Sequence, residues 1–150
     1  MPDVTLTIVG SAIDNKDITD KAETLNGRVK FTGEIENFKI PEIINQSEIY
    51  VQPSRYEGNP KSILEAMACR VPVIAYNVEG INNIINHKEN GLLCESDVQS
   101  IKQSIEMLLS DKQLQDNIAQ NGYKYVKGNC SLDTTTAKEY DVYNKLMDVH

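Results

Sequence analysis

At 150 residues, 40% hydrophobic and 25% charged, the chain has the size and make-up of one globular domain, large enough to need neither disulfide nor metal to hold it. A net charge of -7 argues against a face that grips nucleic acid through its phosphates, and no polybasic run suits an anionic membrane. Three cysteines at irregular spacing, Cys69, Cys94 and Cys130, fit neither a disulfide framework nor a zinc site.

In chain order, Met1-Pro2-Asp3-Val4-Thr5 lacks the basic-then-apolar pattern of a signal peptide, and no apolar run nears the ~20 residues of a membrane span, so a cytoplasmic location is expected. Val4 to Val9 is rich in β-branched residues and ends at Gly10-Ser11, predicting a strand and a turn. Asp17 to Leu25 carries helical spacing, Val29-Lys30-Phe31 is a short strand stopped at Gly33, and Ile40 to Ile44 is a short helix. Ile49-Tyr50-Val51 is a third strand, ending at Pro53-Ser54. Lys61 to Cys69 is a run of strong helix formers, with Asn59 placed as N-cap and Pro60 at the first helical position, where its missing N–H costs nothing. Cys69 reads as a small buried hydrophobe at the end of that run.

Val71 to Ala75 is a fourth strand, Ile81 to Ile85 a short helix, and Gly91-Leu92-Leu93 a brief fifth strand. Three helices follow, Val98 to Leu109, Lys112 to Lys127 and Thr134 to Met147, with Asp97 and Asp111 where N-caps belong. The histidines, His87 and His150, have no clear partner and read as surface residues. Strands alternating with helices imply a Rossmann-like, doubly wound parallel α/β sheet with helices on both faces and a helical C-terminal end. Ligands in such folds bind beyond the carboxyl ends of the strands, which directs attention to Gly10-Ser11, Gly33-Glu34-Ile35, Ser54 to Asn59 and Tyr76 to Gly80.

The most informative of these stretches runs from Ser54 to Ala68. It places Glu57 in the loop after the third strand and Glu65 in the second turn of the next helix, with seven residues between. A helix start presents unpaired amides and a positive dipole end, a seat for a diphosphate, with the donors around Lys61 and Ser62. Glu65 lies roughly 6 Å deeper along the helix, where a carboxylate suits the vicinal hydroxyls of a ribose. Glu57, across the phosphate seat, could meet a second polyol. The arrangement fits a sugar nucleotide. It is equally open to a plain reading, with Glu65 pairing Lys61 at i,i+4 and Glu57 a solvated loop residue.

The segment Glu57-Gly58-Asn59-Pro60-Lys61-Ser62-Ile63-Leu64-Glu65-Ala66-Met67-Ala68-Cys69, continuing Val71-Pro72-Val73-Ile74-Ala75, resembles the signature of the family 4 (group 1) glycosyltransferases, which have the two-lobed GT-B fold. LTIVG at 6–10, VKFTG at 29–33, IYVQPS at 49–54, NGLL at 90–93, Leu108 to Asp111 and the closing helix with Tyr140 and Tyr143 fall in the family's order, so the resemblance covers nearly the whole chain. It implies that residues 1–150 are the C-terminal, nucleotide-sugar-binding lobe of a retaining, metal-independent hexosyltransferase. Glu57 would be the catalytic carboxylate at the donor hexose, Glu65 would hold the ribose, and Gly58 with Asn59, Pro60, Lys61 and Ser62 would line the diphosphate or hexose. Gly33, Glu34 and Ile35 would border the base. No cofactor or metal is implied beyond a UDP-, GDP- or ADP-sugar substrate, and polysaccharide or glycolipid assembly is the expected setting.

The family pattern also includes an upstream strand and loop supplying an Arg and a Lys to the diphosphate, and an N-terminal acceptor-binding lobe. Neither is found in these residues, so this polypeptide is expected to be inactive alone, with the acceptor lobe as its partner and any membrane contact made through that lobe. Arg70 stands where Gly is common, and Val78-Glu79-Gly80 where two glycines are frequent; Glu79 is expected to face solvent. The competing readings are a sugar-nucleotide epimerase-like or phosphorylase lobe, a glycosidase using Glu57 and Glu65, a receiver, and a nucleotide-binding α/β domain that transfers nothing. A receiver would want acidic residues where Gly10-Ser11 and Gln52-Pro53-Ser54 stand.

Overall fold

The computed structural model describes residues 4–11 and 16–147, so Met1-Pro2-Asp3 and His150 lie outside the described residues. The chain divides into two compact units, Met1–Ile40 and Pro41–His150.

In the first unit, β1 (Leu6–Ile8) and β2 (Val29–Phe31) pair in parallel with Leu6 opposite Val29 and Ile8 opposite Phe31, and α1 (Lys16–Glu23) lies between them in sequence. Beyond the ladder the Gly10 amide donates to the Gly33 carbonyl at 3.0 Å. Burial here is shallow. α1 has no buried residue, and Leu6 and Val9 remain nearly half exposed. A 3-10 turn, Asn37–Lys39, runs into α2 (Ile40–Asn45), whose Ile44 is buried.

The second unit contains a three-stranded parallel sheet in the order β3 (Tyr50–Gln52), β4 (Val73–Tyr76), β5 (Leu92–Cys94), with α3 (Lys61–Ala68) crossing from β3 to β4. All four residues of β4 are buried, as a central strand covered on both faces requires. Alternation divides the work. Ile74, Tyr76, Leu92 and Cys94 pack with Leu108 of α4 (Val98–Ser110) and Ile118 of α5 (Lys112–Asn129), joined by Val51, Ile101, Ile105 and Leu114. Tyr50, Gln52, Val73 and Ala75 point the other way, and Tyr50 and Gln52 reach Ser62 of α3, whose Ile63, Ala66 and Met67 are buried. Each fully buried aliphatic side chain stabilises the unit by roughly 1.5–3 kcal/mol. α6 (Leu132–Met147) closes the described chain and buries none of its residues.

The parallel α/β class predicted from the sequence is found, with the strands divided between two sheets. Asp97 and Asp111 cap α4 and α5, each accepting an amide at 2.9 Å, from Ser100 and Leu114. Three local expectations are corrected. Residues 81–85 form successive hydrogen-bonded turns instead of a helix. Asn82, Asn83 and Asn86 are weak helix formers, and the buried Asn90 carboxamide takes the Asn86 amide and donates to the Ile84 carbonyl, giving the backbone a non-helical alternative. Asn59 is not the N-cap of α3. That place is held by Pro60, at φ -78 and ψ 72, without any side-chain cap. Cys69 is half-buried, and Cys94 is the cysteine that enters the core.

Arg70, which stands where Gly is common, takes a conformation that glycine favours. Its φ of 57 makes it the left-handed residue of a Schellman ending, with Arg70 N–H on Met67 O and Val71 N–H on Ala66 O, both at 3.0 Å. A non-glycine residue there costs about 1–2 kcal/mol. The guanidinium stacks 4.1 Å from the centre of the Tyr123 ring on α5, which offsets part of that cost by about 0.5–1 kcal/mol.

Candidate functional site

The carboxyl end of β3 and the start of α3 bring a set of polar side chains together. Because Tyr50 and Gln52 are two apart on one strand, they share a face, and the Tyr50 hydroxyl donates to Gln52 Oε1 at 2.6 Å. The other end of the same carboxamide donates to Ser54 Oγ at 2.7 Å and to Glu57 Oε1 at 2.9 Å. From α3, Ser62 Oγ donates to Gln52 Oε1 at 3.3 Å. A carboxylate only accepts, so Glu57 fixes which end of the Gln52 amide faces it.

Glu57 is half-buried and tethered through one oxygen; among the described residues its Oε2 has no hydrogen-bond partner. Its backbone is braced as well. Gly80, at φ 87, packs so closely on the loop that a Cβ there would lie 1.8 Å from the Glu57 carbonyl oxygen. Only glycine fits, on grounds of both space and conformation. Glu79 beside it is exposed, as expected.

Glu65 is exposed and has no ion pair among the described residues, so the i,i+4 bridge to Lys61 is not formed. The electrostatics of Tyr50 register both carboxylates. Burial pushes its phenol above the ordinary value, the Ser62 hydrogen bond opposes this, and the charges of Glu65 and Glu57 push it further up. Tyr50 therefore serves as a neutral donor between two carboxylates. Burial and then the Glu65 charge likewise raise the Cys69 thiol above its ordinary value, which disfavours the thiolate.

At the helix start, Asn59, Pro60 and Lys61 form an inverse γ-turn in which the Lys61 amide donates to the Asn59 carbonyl at 2.9 Å. Lys61 N–H is thus engaged within the chain, whereas the Ser62 amide has no acceptor among the described residues. Gly58, Asn59 and Lys61 are exposed and Pro60 is buried. Gly33, Glu34 and Ile35 lie in the first unit: Gly33, at φ 67, closes the bridge to Gly10, Glu34 is exposed and Ile35 half-buried.

Sequence reasoning passed over Gln52, the centre of this network. The only signal was a polar pair two residues apart, Tyr50 and Gln52, on a strand otherwise read as apolar. His87 does have a partner: its Nδ1 accepts the Leu93 amide at 3.0 Å and so completes the edge of β5, a structural use. Among the described residues no group of three or more His, Cys, Asp or Glu could hold a metal ion, and no helix is long and apolar enough to cross a membrane.

Comparison with known proteins gives a consistent picture. The sequence pattern described as "Glycosyl transferases group 1" matches residues 1–125. The chain is 34% identical over 149 residues to the Glycosyltransferase 1 domain-containing protein 1 of Xenopus tropicalis, which covers 97% of this chain and 41% of that protein. Among solved structures, Anabaena Alr3699/HepE in complex with UDP superposes with a TM-score of 0.88 at 25% identity, over 97% of this chain and 42% of that one. The C-terminal domain of a group 1 family glycosyl transferase (LpcC) from Francisella tularensis superposes with a TM-score of 0.78 at 33% identity, over 87% of this chain and 72% of that domain's chain. The chain thus spans about two fifths of the curated relative it matches.

Proposed function

The chain belongs to the group 1 glycosyl transferases, and we propose that it is the C-terminal, donor-binding lobe of a retaining, metal-independent hexosyltransferase. The observation that carries this reading is the pair of carboxylates at the start of α3, one tethered and one free. Among the described residues Glu57 is held through Oε1 with Oε2 left open, and Glu65 stands in the second turn without an ion pair. The UDP bound by the Anabaena neighbour supports a nucleotide sugar as ligand, and the similarity to an isolated C-terminal domain supports the lobe assignment.

In this reading the diphosphate sits at the start of α3. The Ser62 amide is ready to receive it, and the Lys61 amide becomes available once the γ-turn opens. Glu65 accepts from both ribose hydroxyls. Gly58, Asn59 and Pro60 form the wall toward the hexose. Glu57 Oε2 lies against the hexose, where a fixed negative charge stabilises the positive charge that develops at the anomeric carbon as the diphosphate leaves. The acceptor, expected in polysaccharide or glycolipid assembly, is bound by a separate lobe, so these 150 residues alone turn over no donor.

Calorimetric titration of this chain with UDP, GDP and ADP tests the reading. One of the three binds saturably, and Glu65→Ala weakens it about tenfold to a hundredfold, the value of hydrogen bonds to a charged acceptor. Saturable binding untouched by Glu65→Ala would move the ribose elsewhere. No binding of any diphosphate at millimolar concentration would remove the donor-lobe reading.

A further inference from the structure

We infer that Gln52 is a positioning residue for the reaction, acting through Glu57; the inference rests on the donor-lobe reading above. Gln52 makes every hydrogen bond that a carboxamide can make. Its two N–H groups go to Ser54 and Glu57, and its oxygen receives Tyr50 and Ser62. Two of those partners are anchored, Tyr50 by the β3 ladder and Ser62 by α3, and a third, Ser54, lies just beyond the strand. The fourth, Glu57, is the one the network aims.

The consequence is directional. A loop carboxylate left to itself samples several rotamers and is hydrated on both oxygens, and ordering it against a ligand costs entropy. Here Oε1 is fixed and, among the described residues, Oε2 has no partner, so one lone-pair face is already presented. The neutral Tyr50 phenol secures the far end of the Gln52 amide, which prevents the amide from flipping to set its oxygen against the carboxylate. Gly80 prevents the Glu57 backbone from retreating. Side chain and main chain of one residue are thus each restrained, by residues that need never touch the donor.

The test compares two ligands and two variants of this chain. The ligands are the nucleoside diphosphate that binds among UDP, GDP and ADP, and its glucose conjugate. Gln52→Met keeps the length and removes all four hydrogen bonds. Gln52→Glu keeps the acceptor for Tyr50 and Ser62 and removes the donor to Glu57. In both variants the Kd for the diphosphate stays within about twofold, and that for the conjugate rises about fivefold to tenfold, as in Glu57→Gln.

Equal weakening of both ligands would reduce Gln52 to a structural residue and overturn the inference. So would a Gln52→Glu variant that binds the conjugate normally, because the Tyr50 and Ser62 bonds would then suffice. If Glu57→Gln weakens the conjugate and neither Gln52 variant does, the positioning role fails while the donor-lobe reading stands. If wild type binds no diphosphate, the reading beneath it fails too.

Discussion

Glu57 and Glu65 are separated by seven residues and are held in opposite ways. The loop carrying Glu57 is restrained at three points: its side chain by Gln52, its carbonyl by the close approach of Gly80, its exit by a γ-turn at Pro60. Glu65 rides on a regular helix, exposed and without a salt bridge among the described residues, its position set by the burial of Ile63, Ala66 and Met67 on the opposite side of α3. Irregular backbone needs many specific contacts to have one conformation. A helix needs only its apolar face, and can therefore offer a charged residue to a ligand at no structural cost. The two carboxylates should accordingly respond very differently to substitution.

The largest effect expected is at the restrained loop. Gly80→Ala forces a Cβ into the Glu57 carbonyl at a backbone angle that alanine disfavours, and should destabilise the second unit by about 2 kcal/mol or more in urea unfolding. A change below about 0.5 kcal/mol would mean that the loop can move aside, and the contrast with α3 would dissolve. Next is Glu65→Ala, which should leave unfolding within about 0.5 kcal/mol of wild type, as for an exposed residue without partners, while diphosphate affinity falls. A large loss of stability there would show that Glu65 belongs to the scaffold.

Two helix caps away from the site calibrate the comparison. Asp111→Ala removes the acceptor for Leu114 N–H and should cost about 1 kcal/mol without touching affinity. Asp97 gives the smallest and most specific effect. The Ser100 amide, and then the Ser100 hydroxyl, hold its carboxyl below the usual range. A lowered folded pKa means that the stabilisation is complete above the unfolded value, about 4, and is lost as pH falls through the lower folded value. Thermal midpoints of Asp97→Asn, which keeps a capping oxygen without the charge, should lie a constant interval from wild type above about pH 4 and converge below it. An interval that does not change with pH would remove the carboxylate from the account.

The same contrast explains what could be read from the sequence. The class and the helices were legible because their signals are periodic: the apolar run Val71 to Ala75, the stripe of Ile101, Ile105, Leu108 and Leu109, of which Leu109 proves exposed, and the caps Asp97 and Asp111 are all local patterns. Glu57 and Glu65 were legible as a spacing around a helix start. Gln52 was not, because its importance arises from partners ten residues away on α3 and from the strand register that turns it toward them. The turns at 81–85 were misread for a related reason: the apolar spacing there is helical, but Asn90 competes for the backbone from farther along the chain. The γ-turn at Pro60, which engages the Lys61 amide, likewise depends on backbone angles that composition does not reveal.

The claim on which the account depends is that the start of α3 is a donor seat flanked by two carboxylates. The most direct measurement is an NMR amide-shift titration of this chain with UDP, GDP, ADP and their glucose conjugates. Saturable shifts at Ser62 and along 57–65 are the predicted result, and Lys61 should move as its hydrogen bond to Asn59 opens. Shifts confined to other parts of the chain, or a spectrum unchanged at millimolar ligand, would contradict it.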